Sequence, residues 1–183
     1  MIRLASSSQT RAELLKAAGI EFIQQSIDFD EESIIASSPK NFVYQATLGK
    51  YKANVEHFGF MEYPLLVADT VVASQGQILR KAKCVDDARN ILLTQSGNTT
   101  SIITCMIYHS IDIKIIDIST TNYVFDDFGL NDIESYLQSK DWRGKAGACM
   151  VEGFCKKYIK STKGNESTAM GLNVELLQKF VIN

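Results

Sequence analysis

One segment limits what this chain can become more than any other. Leu65-Leu66-Val67-Ala68-Asp69-Thr70-Val71-Val72 is a dense apolar run with a carboxylate inside it. A charge among such neighbours is costly to bury unless something compensates it. Either Asp69 is a turn residue that accepts a backbone N–H, or it stands at a strand end facing a cleft. In the second case it could bind a divalent cation or act as a base.

The rest of the chain alternates short strands with helices, which argues α/β. Ile2 to Ala5 reads as a buried strand. Ser8 can cap a helix over Gln9–Ala18 that Gly19 ends. Glu21 to Ile27 reads as a strand with Phe22 and Ile23 as core, followed by the acidic run Asp28-Phe29-Asp30-Glu31-Glu32. Ser38-Pro39 starts a helix reaching His57, with Phe42, Ala46, Gly49 and Ala53 on one face. Ser74-Gln75-Gly76-Gln77 is a hairpin turn into Ile78-Leu79, and Val85 to Thr94 is a helix closed by Gly97. Thr99 to Phe125 reads as two long strands turning near Ser110 to Asp112, with both faces covered. Asn131-Asp132-Ile133-Glu134 fits a capping box. A glycine-rich segment, Gly144 to Gly147, precedes a strand near Cys155 to Ile159, and a last helix runs over Val174 to Phe180.

Length and charge exclude some classes. At 183 residues the chain is expected to form a single domain over residues 1–183. A net charge of −2 gives no long-range attraction to nucleic acid or an anionic membrane. The opening Met1-Ile2-Arg3-Leu4 has no apolar core behind it, and no run approaches the ~20 residues of a membrane span. Cys84, Cys105, Cys149 and Cys155 show no C-x-x-C spacing, so we expect reduced cysteines in a cytoplasmic protein.

Several segments could carry chemistry together. Ser6-Ser7-Ser8-Gln9-Thr10-Arg11 joins a strand to a helix N-terminus, where free N–H groups, hydroxyls and a guanidinium fork suit phosphate. By itself it also reads as a serine-rich loop with a simple cap. Asp30-Glu31-Glu32 is a solvated loop unless Glu31 meets Asp69, in which case the pair needs a hard cation between them. Lys52 lies beside the apolar stripe of its helix, and Lys81 follows Ile78-Leu79-Arg80. Taken jointly, these elements suit a magnesium triphosphate ligand.

In these residues the chain resembles the Maf family of nucleoside triphosphate pyrophosphatases, which is related in fold to the inosine triphosphatases. Leu4 to Arg11 with Leu14-Leu15 is similar to L-A-S-x-S-P-R-R-x-x-L-L, and Asp30-Glu31 to the family's acidic pair. Leu48 to Ala53 is similar to L-A-x-x-K-A, and Ala68 to Val72 to A-D-T-V-V. Arg80-Lys81-Ala82, Ser96-Gly97, Ile133 with Tyr136, Lys145 to Ala148 and Gly171-Leu172-Asn173 follow in order.

The resemblance implies an elongated α/β domain, a long twisted mixed sheet with helices forming two lobes around a cleft. It implies hydrolysis between the α and β phosphates of a nucleoside triphosphate, giving a monophosphate and pyrophosphate. The implied cofactor is Mg²⁺ or a similar ion such as Mn²⁺, and family members are often dimers. Nucleotide-pool cleaning or a link to division is the implied role. Asp69 matches the general base and Glu31 the metal-associated acid, both near the metal. Arg11, Lys52 and Lys81 match phosphate-contacting cations, with Ser6 and Ser8 adding hydrogen bonds. Thr10, Thr70 and Glu152 stand at the base-discriminating positions, and Glu152 tilts the reading toward a guanine-type edge. Gln9, Ala82 and Asn173 each replace a family proline. A non-catalytic, nucleotide-binding regulator of septum formation is the alternative, disfavoured by the presence of both Glu31 and Asp69. A nucleic-acid binder is disfavoured by charge.

Overall fold

The computed structural model describes residues 1–31 and 34–181; Glu32, the end of the acidic run, lies outside the described residues. The elements in order are β1 (Ile2–Leu4), α1 (Gln9–Ala17), β2 (Phe22–Gln24), α2 (Pro39–Phe58), β3 (Leu65–Ser74), β4 (Gln77–Ile78) and α3 (Val85–Gln95). They continue with β5 (Thr99–His109), β6 (Lys114–Phe125), α4 (Leu130–Ser139), β7 (Ile159–Lys163), α5 (Glu166–Ala169) and α6 (Val174–Leu177). The strands form a seven-stranded sheet in the order β2-β1-β3-β5-β6-β7, with β4 beside β3. It is mixed: β1 runs parallel to β2 and β3, whereas β4 and β7 pair antiparallel to β3 and β6. No helix among the described residues is long and apolar enough to cross a membrane.

The chain divides into two compact units, Met1–Thr70 with Ile103–Thr120 and Asn165–Asn183, and Val71–Ile102 with Thr121–Gly164. In the first, β1 lies between β2 and β3. The chain therefore leaves β1 to one side through α1 and arrives on the other side after α2. That makes the carboxyl end of β1 a topological switch point, where open parallel sheets bind ligands. The two sheet faces have separate cores. Leu4, Leu66, Ala68, Met106 and Tyr108 meet Ala12 and Leu15 of α1 and Leu177 of α6. Leu65, Val67 and Ile107 meet Tyr51 of α2. Strand alternation divides neighbouring residues between these cores.

The helix starts follow their caps. Ser8 Oγ accepts the Arg11 N–H, and Ser38 Oγ accepts the Asn41 N–H with Pro39 at the first helical position. The strand Glu21–Ile27 narrows to Phe22–Gln24, and the last helix to Val174–Leu177. Its N-cap Asn173 accepts the Leu176 N–H at 3.1 Å.

In the second unit three expectations change. The capping box over Asn131–Glu134 does not form, because α4 starts at Leu130 after Gly129. The Gly129 N–H instead donates to the Tyr158 hydroxyl at 3.0 Å, and Asp132 is taken by Lys157 and Tyr158. The strand expected near Cys155 is a 3₁₀ turn over Phe154–Tyr158, and β7 begins only at Ile159. Extended chain would set residues four apart ~13 Å away from each other. The turn instead brings the Phe154 and Tyr158 rings to 5.6 Å and stacks Phe154 on Tyr136 at 4.5 Å. Finally, Cys149 and Cys155 are not reduced but joined by a disulfide, because the intervening turn returns their Cα atoms to 6.6 Å.

Cys84 is exposed and free, while Cys105 is free and buried, and burial pushes its thiol pKa up to about 11. Protein purified without reductant should gain two hydrogens in mass on reduction. Before reduction a bulky thiol reagent should modify Cys84 alone. Labelling of Cys149 or Cys155 in the native protein would contradict the pairing.

Candidate active site

The site begins with the parity of β3. Leu65 and Val67 face α2, so Asp69 continues onto that side; Leu66 and Ala68 face α1, so Thr70 continues onto the other. Adjacent residues therefore enter two different polar arrangements.

On the α2 side, Lys50 Nζ lies 2.9 Å from Asp69 Oδ1 and 2.5 Å from Glu31 Oε1. Asp69 is only 8 % exposed. One ammonium thus compensates two carboxylates that would otherwise repel. Glu31 reaches this point because its segment is fastened to α2. The Ile27 N–H donates to Asn54 Oδ1 at 3.0 Å, and Asn54 Nδ2 donates to the Lys50 carbonyl at 2.8 Å. The tip of the Phe29 ring abuts Gly49, where a Cβ would come within 2.2 Å of Cζ.

The lysine at this junction is Lys50; Lys52 has an exposed side chain. Residues two apart on a helix point to nearly opposite sides, since each step turns ~100°. The signal for Lys50 was present in the sequence. The buried residues of α2 include Val43, Thr47 and Asn54, and Lys50 falls on that spacing. A stripe drawn through Gly49 and Ala53 is rotated away from it.

On the α1 side, Arg11 is held at several points. Its Nε donates to the Gly171 carbonyl at 2.8 Å, its Nη1 to Ser6 Oγ at 2.9 Å and its Nη2 to Thr70 Oγ1 at 3.1 Å. Burial lowers its pKa, against the opposing pull of Asp69 and Glu31. A guanidinium still keeps its charge at neutral pH and has N–H groups left on its terminal nitrogens. Gln24 Nε2 donates to the Ser6 carbonyl at 2.7 Å and fixes the serine loop from β2.

Of these groups Ser6, Arg11, Glu31 and Lys50, together with Ser8, line one cavity of about 290 Å³. A larger hollow of about 640 Å³ beside α1 is lined by Gln9, Lys16, Glu21 and Gln24. The smaller one is the candidate site, because it gathers convergent charges at a helix N-terminus. Glu31 and Asp69 converge on one cation position, the one Lys50 Nζ takes. Hard carboxylate oxygens suit Mg²⁺ or Mn²⁺. No group of three or more His, Cys, Asp or Glu side chains converges among the described residues.

Thr10 is half-buried on α1. Thr70 binds Arg11 and the Thr104 hydroxyl, the latter at 2.9 Å. Lys81 and Glu152 belong to the second unit, and both are exposed. Lys81 forms an isolated backbone bridge with Ala146, and Glu152 sits in the turn between the bonded cysteines. Sequence reasoning passed over Lys50, Thr104 and the glycine contact at Gly49.

Comparison with protein-family models matches the whole chain, residues 1–183, to the family described as Maf-like protein. A protein of Nitratiruptor sp. called nucleoside triphosphate pyrophosphatase is 56 % identical over 182 residues, covering 98 % of each chain. A protein of the same name from Helicobacter pylori is 40 % identical over 172 residues, covering 94 % of this chain and 90 % of that one. Another from Campylobacter jejuni is 36 % identical over 183 residues, covering 99 % and 100 %.

The packing of Phe29 on Gly49 can be tested without a substrate. In an unobstructed helix interior Gly→Ala stabilises by roughly 0.5–1 kcal/mol. Here the added methyl must displace the ring, so Gly49→Ala should destabilise, by ~1–3 kcal/mol in urea unfolding. A rise in stability would show that Phe29 does not hold the acidic segment.

Proposed function

The chain belongs to the Maf-like family, and from that premise we propose that it is a nucleoside triphosphate pyrophosphatase that depends on a divalent cation. One observation carries the reading: Lys50, which bridges Glu31 and Asp69, lines together with Glu31 the cavity that also holds Arg11, Ser6 and Ser8. A structural ion pair alone would not need the adjoining phosphate-type donors. The reaction would split the α–β phosphoanhydride and release a nucleoside monophosphate and pyrophosphate.

The residues divide the work. Arg11, Ser6, Ser8 and the N-terminus of α1 would bind and orient phosphate oxygens. Lys50 carries its charge on a flexible stem and can pass from the carboxylates to a phosphate oxygen. Asp69 would take the proton of the attacking water as its oxygen bonds to the α phosphorus and the pyrophosphate oxygen leaves. Glu31 and Asp69 would hold Mg²⁺ or Mn²⁺, which when bound supplies Lewis-acid charge neutralisation to the phosphates. The cations oppose negative charge that builds on the leaving group.

The family resemblance alone supports three finer assignments. These are Lys81 as a further phosphate contact, Lys52 as another, and Thr10, Thr70 and Glu152 as base-reading positions. We also propose a cytoplasmic enzyme of nucleotide-pool cleaning and a homodimer. Ile116 and Ile118, exposed to 44 % and 40 % on β6, are apolar surface that a second copy could cover.

Two experiments test this reading. A panel of common and modified triphosphates with Mg²⁺ or Mn²⁺ should give pyrophosphate, not phosphate. Asp69→Asn should lower that turnover ~10²–10⁴-fold while leaving nucleotide binding measurable. Wild-type turnover in this variant would remove Asp69 from the mechanism. In parallel, Lys50→Met should lower kcat/KM at least tenfold, and further than Lys52→Met does. The reverse ranking would move the helix lysine of the site back to Lys52.

A further inference from the structure

The hydrogen bonds behind Arg11 have a fixed direction. Thr104 is 1 % exposed, and its Oγ1 lies 2.7 Å from the Thr168 carbonyl oxygen. A carbonyl only accepts, so the single Thr104 hydroxyl proton points to Thr168. The contact between Thr70 Oγ1 and Thr104 Oγ1, at 2.9 Å, must then be donated by Thr70. The Thr70 proton is thereby turned away from Arg11, and its lone pairs face the guanidinium, which donates from Nη2 at 3.1 Å. The chain of bonds closes on itself. Arg11 Nε donates to the Gly171 carbonyl at 2.8 Å, and the Gly171 N–H donates to the same Thr168 carbonyl at 3.1 Å. Gly171 has φ +109°, and a Cβ there would lie 3.3 Å from both Arg11 Nε and Thr70 Oγ1. The ring of bonds leaves little room for the guanidinium to turn.

We propose that Thr104 is a positioning residue for the phosphate-binding fork: by fixing the Thr70 hydroxyl as a donor inward, it presents an acceptor to Arg11 and sets that guanidinium's orientation. This rests on the pyrophosphatase reading. It also gives Thr70 a use other than reading the base, since its one proton is committed to Thr104. Both residues are on even positions of their strands, on the α1 face, which is why neither meets Lys50.

The test uses the full-length enzyme with the best triphosphate of the panel. Thr104→Val and Thr70→Val each break the same link, so each should raise KM about tenfold with a smaller change in kcat. The double variant should be no worse than either single one, because coupled residues are non-additive. Thr104→Ser keeps the hydroxyl and should return KM to within twofold of wild type. An unchanged KM in either valine variant, multiplied effects in the double variant, or failure of serine to rescue would overturn the proposal. If Thr104→Val does not fold, Thr70→Val and Thr104→Ser decide it by the same KM criteria. An inactive wild type across the panel would instead overturn the pyrophosphatase reading. The ring would then be judged by pyrophosphate binding alone, with the same tenfold weakening expected in the valine variants and its absence overturning the proposal.

Discussion

A single ammonium between two carboxylates organises this molecule. Asp69 is nearly buried in a mostly apolar strand, and Glu31 comes from a distant segment. Like charges ~4 Å apart repel by about 4 kcal/mol at the effective dielectric near a protein surface. Lys50 removes that repulsion by contacting both. The requirement passes back through the structure. Lys50 must fall on the sheet-facing side of α2, Glu31 must be fastened to that helix, and Asp69 must point to the same side. Asn54 and Gly49 meet the second condition, and strand parity meets the third.

The same parity separates the site's charges by purpose. Asp69 and Thr70 are chain neighbours, yet one joins Lys50 on the α2 face and the other Arg11 on the α1 face. Both groups come together at the carboxyl end of β1 because β1 is the strand from which the chain departs in both directions. An anion there meets a helix N-terminus with hydroxyls and a guanidinium, and beside them an ammonium held between two carboxylates. Neither sheet face alone provides both.

Much of this was readable from residue types and spacing. The serine cap, the proline start of α2, the acidic segment and the carboxylate inside β3 all declare themselves locally, and local rules fixed them. What was lost depended on tertiary contact. Lys50 was passed over because Gly49 looked like a core position; its bareness accommodates Phe29, which no helical period reveals. Thr104 looked like ordinary strand filling because its role lies in a bond to α5, far along the chain. The turn at Phe154–Tyr158 was read as a strand because ring stacking with Tyr136 overrode an extended pattern. The cysteine pair escaped because pairing depends on how the turn folds back, not on spacing.

The charge of the site explains why the net value of −2 is a poor guide to ligands. Arg11 and Lys50 are balanced by Glu31 and Asp69, so these four groups sum to no net charge. A neutral cluster cannot hold a triphosphate by bulk attraction; what it offers is separation of sign. Arg11 is locked by carbonyl and hydroxyl acceptors that do not cancel its charge, whereas Lys50 is directly neutralised by carboxylates. An anion in this cavity therefore draws on Arg11 directly and on Lys50 only in competition with Glu31 and Asp69.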